Sequence, residues 1–98
     1  MKAARVDENQ PEIVRLLQQH FVSVQQLHMV GRGCPDIICG WQGTNYLFEI
    51  KNPKKPPNQR KLTPDELEFM HTWKGQVAVI HTAADALKIM GIEIKGGA

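Results

Sequence analysis

The fold is decided between residues 33 and 51, where the sequence reads GCPDIICGWQGTNYLFEIK. Residues 36–40 and 46–51 are mostly apolar runs of strand length, and residues 42–45 between them are typical of a turn. Two strands joined by so short a turn form an antiparallel hairpin. The stretch therefore predicts a β-hairpin at the centre of the fold.

Three charged residues interrupt these apolar strands, namely Asp36, Glu49 and Lys51. With a turn at Gly43, Asp36 and residues 49–51 lie at the same end of the hairpin. Glu49 and Lys51 share one face of the sheet because side chains alternate along a strand, and Ile50 points to the opposite face, into the core. Charges in such strands are costly unless they are paired. A cross-strand salt bridge would explain any one of these residues, but the three together favour a functional site.

Phosphodiester cleavage needs this set of groups. Magnesium prefers hard oxygen ligands and usually takes one or two carboxylates together with water and phosphate oxygens. We expect Asp36, Glu49 and the main-chain carbonyl of Ile50 to bind Mg²⁺ or Mn²⁺, which would acidify a water molecule and neutralise charge on the phosphate. Lys51 would orient the attacking water or stabilise the transition state.

The rest of the chain is predicted to alternate between helices and strands around this hairpin. Apolar residues recur at helical spacing near the start, with Phe21 closing the apolar face, and Thr63, Pro64 and Glu66 form a strong helix start with a capping box. Leu67, Met70 and Trp73 are expected on the buried face of that second helix. The predicted elements are a helix over residues 9–21, a strand over 22–30, the hairpin, an irregular loop over 52–62, a helix from 63 to about 75, a strand over 76–80 and a helix over 83–90. This order predicts an α/β fold whose mixed central sheet is flanked by helices.

The bulk composition is that of an ordinary globular domain. The chain has 98 residues, 42% of them hydrophobic, and a net charge of +2, which indicates a single domain over residues 1–98 with a loose terminus over 1–7. Its apolar runs are far shorter than the ~20 residues of a membrane span, and no secretory leader is visible. We therefore expect a cytoplasmic protein with no membrane partner. Cys34 and Cys39 should be reduced in that compartment, and their spacing from His20 and His28 fits no familiar zinc site.

A basic strip follows the hairpin and contains no acidic residue. It consists of Lys51, Lys54, Lys55, Arg60 and Lys61. Such a strip attracts a phosphate backbone, although a solvated loop would look the same. Arg32 is one loop away from Asp36, and His81 follows the last strand, so both are further candidates for contacts with phosphate. DNA is the expected partner.

The segment Gly33-Cys34-Pro35-Asp36, followed by a short hairpin and Phe48-Glu49-Ile50-Lys51, resembles the VRR-NUC branch of the PD-(D/E)XK nuclease superfamily. The resemblance extends from Glu12 to about Ala86 and implies a restriction-endonuclease-like α-β-β-β-α-β core. It also implies that Asp36, Glu49 and Lys51 are the catalytic and metal-binding trio. Glu12 is the candidate for the accessory acid of the first helix and Glu8 its competitor, while a favourable first-turn charge explains Glu12 equally well.

Two positions depart from the family pattern. Glu66 stands where members commonly have glutamine after Leu62-Thr63-Pro64-Asp65, so Glu66 either caps its helix or joins the site. His81 is the polar residue in the segment where the family has an arginine.

The resemblance implies a metal-dependent DNA endonuclease in the cytoplasm of a bacterial or phage-infected cell. A homodimer is expected, because one small domain grips duplex DNA poorly and two sites suit a branched or junction substrate. The alternatives are a non-catalytic nucleic-acid-binding module on a nuclease fold, an RNA-processing nuclease, and an interaction protein in which the trio forms salt bridges.

Overall fold

The sheet has four strands and is accompanied by three helices in a computed structural model that describes residues 6–94. The elements are α1 (Gln10–Gln19), β1 (Ser23–Gln26), β2 (Ile37–Trp41), β3 (Thr44–Ile50), a short 3-10 helix (Pro57–Gln59), α2 (Pro64–Thr72), β4 (Val77–Ile80) and α3 (Ala83–Met90). The strands lie in the order β1-β2-β3-β4; β1, β2 and β3 pair antiparallel, and β4 is parallel to β3. The predicted α/β fold with a mixed sheet is confirmed. Of the predicted loose terminus, only Val6 and Asp7 fall within the described residues.

The central hairpin is confirmed, with a tighter turn than residues 42–45. The strands extend to a pairing of Trp41 with Thr44, so the turn has only Gln42 and Gly43 at its centre. Both residues have positive φ, 48° and 79° respectively. Two-residue turns of this kind match the twist of the flanking strands, which is why they are favoured in hairpins. The turn therefore fixes the register that places Asp36 beside the end of β3.

The core lies on one face of the sheet, beneath α1 and α3. Alternate side chains of the strands meet the apolar stripes of these two helices, as period-2 and period-3.6 patterns require. Fully or almost fully buried residues include Leu17, Ile37, Phe48, Ile50, Ile80, Ala86 and Leu87. Tyr46 stacks on Phe48 with ring centroids 6.1 Å apart, and Tyr46 and Trp41 pack against this core. The hairpin aromatics are therefore packing residues. Within residues 6–94, no helix combines the length and apolar character that a membrane span requires.

The structure corrects the ends of the first two elements. Helix α1 ends at Gln19, and Phe21 adopts a left-handed conformation (φ 66°) that leaves its side chain 78% exposed. This conformation cannot continue a helix, and the reversal turns Val22 into the core in place of Phe21. Strand β1 then covers residues 23–26 alone, because the chain turns away after the Leu27 N–H donates to the Asp36 carbonyl oxygen.

Helix α2 also differs from expectation, because it does not bury an apolar face. Leu67 and Trp73 are 45% and 49% exposed, and no residue of α2 is buried within the described part of the chain. The predicted capping box is present: the Thr63 side chain accepts from the Glu66 N–H, and the Glu66 side chain accepts from the Thr63 N–H. The loop before α2, predicted to lack regular structure, contains the 3-10 turn of residues 57–59. Local capping thus begins α2 although tertiary burial of its apolar residues is slight.

We expect Thr82→Ala to lower the free energy of unfolding by about 1 kcal/mol. Thr82 caps α3, since its hydroxyl accepts from the Asp85 N–H at 3.2 Å and the Asp85 carboxylate accepts from the Thr82 N–H at 3.2 Å. Urea unfolding measures the loss, and Thr82→Ser, which keeps the hydroxyl, should retain most of the stability. Equal stability of the alanine and wild-type proteins would contradict this role.

Candidate functional site

Asp36 is held between two strands by hydrogen bonds to its main chain and side chain. It directly precedes β2, and its carbonyl oxygen accepts from the Leu27 N–H at 2.8 Å. Its carboxylate accepts from the Ile50 N–H at 2.6 Å. Only 6% of Asp36 is exposed. The hairpin therefore presents the Asp36 carboxylate to the end of β3, where Glu49 and Lys51 lie.

Glu49 and Lys51 lie on the same side of β3 and contact each other. The Lys51 Nζ is 3.5 Å from a Glu49 carboxylate oxygen. Glu49 is 3% exposed, and Asp36 lies within hydrogen-bonding reach of its carboxyl group. The structure thus brings together the three residues that the sequence singled out, in a nearly buried cluster at one end of the hairpin.

Glu66 joins this cluster from α2. Its Oε1 accepts from the Lys51 Nζ at 2.8 Å and from the Thr63 N–H at 2.9 Å. The same oxygen therefore caps α2 and binds the lysine, so the two roles left open by the sequence are both filled. Among Glu8, Glu12 and Glu66, the acids left open as members of the site, Glu66 is the one that contacts the trio.

Burial and mutual repulsion perturb the carboxyl groups of the cluster. Burial, then the charges of Asp36 and Glu66, raise the pKa of Glu49 to about 9. Burial likewise raises the pKa of Asp36, against the lowering effect of the Ile50 hydrogen bond. Burial alone would lower the pKa of Lys51, but its hydrogen bond to Glu66 and the nearby negative charges outweigh burial and raise that pKa. The pKa of Glu66 is lowered because its contacts with Lys51 and Thr63 outweigh burial. The cluster has more acidic groups than its single ammonium group can neutralise.

The acid-rich cluster has the oxygen chemistry that a divalent cation prefers. Within residues 6–94 no group of three or more histidine, cysteine, aspartate or glutamate side chains is arranged to hold a metal ion. Magnesium, however, usually takes only one or two protein carboxylates and completes its shell with water and substrate oxygens. Asp36 and Glu49 supply two adjacent carboxyl groups whose joint ionisation a nearby cation would favour. The residues present therefore fit Mg²⁺ or Mn²⁺, with the Ile50 carbonyl as the third candidate ligand.

The metal-free protein is expected to lose stability as the pH rises through neutrality. The pKa of Glu49 is 4.5 for an ordinary glutamate and about 9 in the folded protein, so between these values the folded state holds a proton that the unfolded chain has released. Stability must then fall with rising pH across this window. Mg²⁺ at about 100 times its Kd would add roughly 2.7 kcal/mol and would raise the melting temperature by roughly 11–22 °C, with a larger rise at pH 8.5 than at pH 6.

Thermal melts with EDTA, Mg²⁺ or Mn²⁺ measure this effect. Glu49→Gln should flatten the pH dependence and abolish the gain from metal, whereas Glu93→Gln, which alters an exposed glutamate, should leave both in place. A wild-type melting temperature that ignores divalent cations at every pH would contradict metal binding by this cluster.

Glu12 of α1 and Glu8, which precedes this helix, lie apart from the contacts of the trio. Glu12 is exposed and pairs with Arg15 at 2.7 Å, and with Glu8 it lines a pocket of about 430 Å³ that also includes Lys54 and His81. Asp7 is a residue that the sequence reasoning missed, and its charge contributes to the raised pKa of Asp36. The signal available was an acid close to the start of α1, but three acids share that region, and only the fold brings the charge of Asp7 close enough to affect Asp36.

The candidate phosphate contacts are mostly accessible. Arg32, Lys54, Lys61 and His81 are exposed, and Lys55 and Arg60 are partly buried. Arg32 has a left-handed backbone conformation (φ 56°) in the turn before Asp36. The basic strip begins at Lys51, which is itself part of the cluster. His81 follows β4 and lies 3.8 Å from Asp85. Candidate cations therefore stand on both sides of the hairpin in the sequence, with Arg32 before it and the basic strip after it.

Comparison of the chain with protein-family models, with curated proteins and with solved structures gave no match.

Proposed function

We propose that this chain is a metal-dependent nuclease that hydrolyses phosphodiester bonds in DNA. The observation that carries the proposal is the nearly buried cluster of Asp36, Glu49 and Lys51 at one end of a hairpin. Within residues 6–94 the packing of the core does not call for two adjacent carboxyl groups there. Burying them costs stability, and a functional role would explain why that cost is borne. Strongly perturbed carboxyl groups cluster at functional sites, and a cationic group beside them can stabilise the charge that develops on a phosphate ester.

The residues divide the work of hydrolysis among themselves. Asp36, Glu49 and the Ile50 carbonyl would hold Mg²⁺ or Mn²⁺, which supplies charge neutralisation and a more acidic water molecule. Lys51, kept protonated by Glu66, would donate to a phosphate oxygen and stabilise the negative charge that grows in the transition state. Glu66 in turn positions the lysine through its 2.8 Å contact. Glu12 remains our proposal for an accessory acid.

The finer features of the fold and partner belong to the same proposal. We propose a restriction-endonuclease-like core of the VRR-NUC type, with DNA gripped by the cations around the site. These are Arg32, Lys54, Lys55, Arg60, Lys61 and His81. A homodimer would double the grip on DNA and present two sites to a branched substrate, in the cytoplasm of a bacterial or phage-infected cell.

A cleavage assay tests the proposal directly. Supercoiled, linear, single-stranded and branched DNA, with a matched RNA, are incubated with the protein in Mg²⁺, Mn²⁺ or EDTA. We expect the protein to cleave DNA only when a divalent cation is present. Asp36→Asn should abolish this cleavage, and circular dichroism should show that the variant keeps its fold. Metal-independent binding of DNA without cleavage would instead indicate a non-catalytic module, and cleavage confined to RNA would indicate an RNA-processing nuclease.

A further inference from the structure

An apolar pocket of about 580 Å³ opens on the sheet face that carries Glu49. Asn45 and Leu47 of β3 line it, and because side chains two residues apart share a face, Glu49 follows Leu47 on that face at about 6.8 Å along the strand. This face lies opposite the core under α1 and α3. The pocket is thus a direct continuation of the proposed active site along β3.

The chain also connects the pocket to the site. Cys34 lines the pocket and stands two residues before Asp36 in the sequence. Since Asp36 is a proposed metal ligand, this edge of the pocket is close to the place where a scissile phosphate would bind. A nucleotide bonded to that phosphate would therefore be within reach of the pocket.

Phe69 of α2 and Trp73, which follows this helix, form a flat aromatic wall of the pocket. Phe69 and Trp73 stack with ring centroids 4.9 Å apart and planes 16° from parallel. Trp73 is nevertheless 49% exposed. Arg32, an exposed cation, also lines the pocket. An accessible indole beside an apolar floor, with a guanidinium at the same pocket, combines the features by which proteins stack a base and contact its phosphate.

We propose that this pocket binds one unpaired nucleobase of the DNA substrate, next to the bond that is cut. Trp73 stacks on the base, Leu47 and Ile38 contact it from the sheet, and Arg32 contacts the adjoining phosphate. The inference rests on the proposed nuclease function and narrows its substrate class. A paired base enters such a pocket only after it leaves the stack, so the protein prefers DNA with an unpaired nucleotide at the site.

The test compares two DNA molecules of equal length. One is a fully paired duplex and the other carries a single-stranded flap with 2-aminopurine, whose fluorescence reports stacking. Dissociation constants are measured in Ca²⁺ for the wild type, Trp73→Leu, Trp73→Phe and Phe21→Leu. Phe21 is a matched control because it is an exposed aromatic residue near the hairpin turn, away from the end of β3 that carries Glu49.

We expect Trp73→Leu to weaken flap binding by about 5- to 150-fold, the factor equivalent to the ~1–3 kcal/mol of one stacked base. The ratio of flap to duplex affinity should fall accordingly, and the 2-aminopurine quenching should disappear. Trp73→Phe keeps a flat ring and should restore most of both, while Phe21→Leu should leave the ratio at its wild-type value. Melting temperatures establish that each variant is folded.

Two results would overturn the pocket assignment. One is an unchanged ratio of flap to duplex affinity in Trp73→Leu, whether both affinities stay the same or fall equally. The other is a change of oligomeric state in Trp73→Leu by sedimentation, which would make the pocket a subunit contact. The two proposals fail separately. Trp73-dependent flap binding without any cleavage supports the pocket and overturns the nuclease, whereas cleavage that is indifferent to Trp73 supports the nuclease and overturns the pocket.

Discussion

Lys51→Met should lower the rate of DNA cleavage by about 10²–10³-fold, the usual cost of removing one preorganised donor from a transition-state site. Lys51 is 9% exposed, and its ammonium group lies 3.5 Å from Glu49 and 2.8 Å from Glu66. Water is therefore a poor substitute for it. Because the methionine side chain keeps much of the apolar length of lysine, the variant isolates loss of charge from loss of packing. Initial rates under saturating Mg²⁺ give the comparison.

The matched control is Lys88→Met, which makes the same change at an exposed lysine of α3. It should cleave at the wild-type rate. Thermal melts of both variants separate lost chemistry from lost folding, since Lys51→Met also leaves the Glu66 carboxylate without its closest cation. A folded Lys51→Met protein that cleaves as fast as the wild type would remove the main support for the nuclease proposal.

Gly33→Ala should cost about 2–5 kcal/mol of stability, adding the strain of a left-handed alanine to that of an overpacked contact. Gly33 has φ +75°, and a Cβ there would overlap the backbone carbonyl group of Asp65 and lie 2.7 Å from the Glu66 nitrogen. Relief requires the start of α2 to move. Since Glu66 positions Lys51 from that start, cleavage should fall by about 10²-fold, the scale set by a displacement of roughly 1 Å.

Gly43→Ala is the control for the backbone strain. Gly43 has nearly the same φ, +79°, but a Cβ there would meet nothing within 4 Å among the described residues. It should lose only the ~1–2 kcal/mol of the left-handed conformation and keep its activity. Urea unfolding and initial cleavage rates report the two effects, and equal losses in both variants would show that α2 is not held in place through Gly33.

Several features of the fold were predictable because short-range patterns specify them. The alternation along residues 46–51, the glycine at position 43 and the caps at Thr63 and Thr82 each depend on residues within a few positions of one another. These patterns placed Asp36 and Glu49 at one end of the hairpin, as the structure has them. The prediction went wrong at Phe21, where the apolar spacing continued but a left-handed residue ended the helix.

Helix α2 shows what a local pattern leaves undecided. Its apolar residues were predicted to be core, yet Trp73 is half exposed and lines a pocket, because an apolar stripe fixes which side chains share a face and not which surface covers them. Glu66 gave a capping signal that was correct, but its contact with Lys51 joins residues 15 positions apart. Such a contact exists only once α2 docks against the hairpin.

The sequence by itself therefore determined the hairpin, the helix starts and the shared face of Glu49 and Lys51, since strand and helix periods and caps act over a few residues. Tertiary structure alone decided that Glu66 and Asp7 approach the acidic cluster and that the Phe69 and Trp73 pair opens toward solvent. The physical reason is that burial, raised carboxyl pKa values and ion pairing depend on distances between elements remote in the chain. The trio at residues 36, 49 and 51 could be identified from the sequence. The burial and ion pairing that perturb its pKa values arise only in the packed fold.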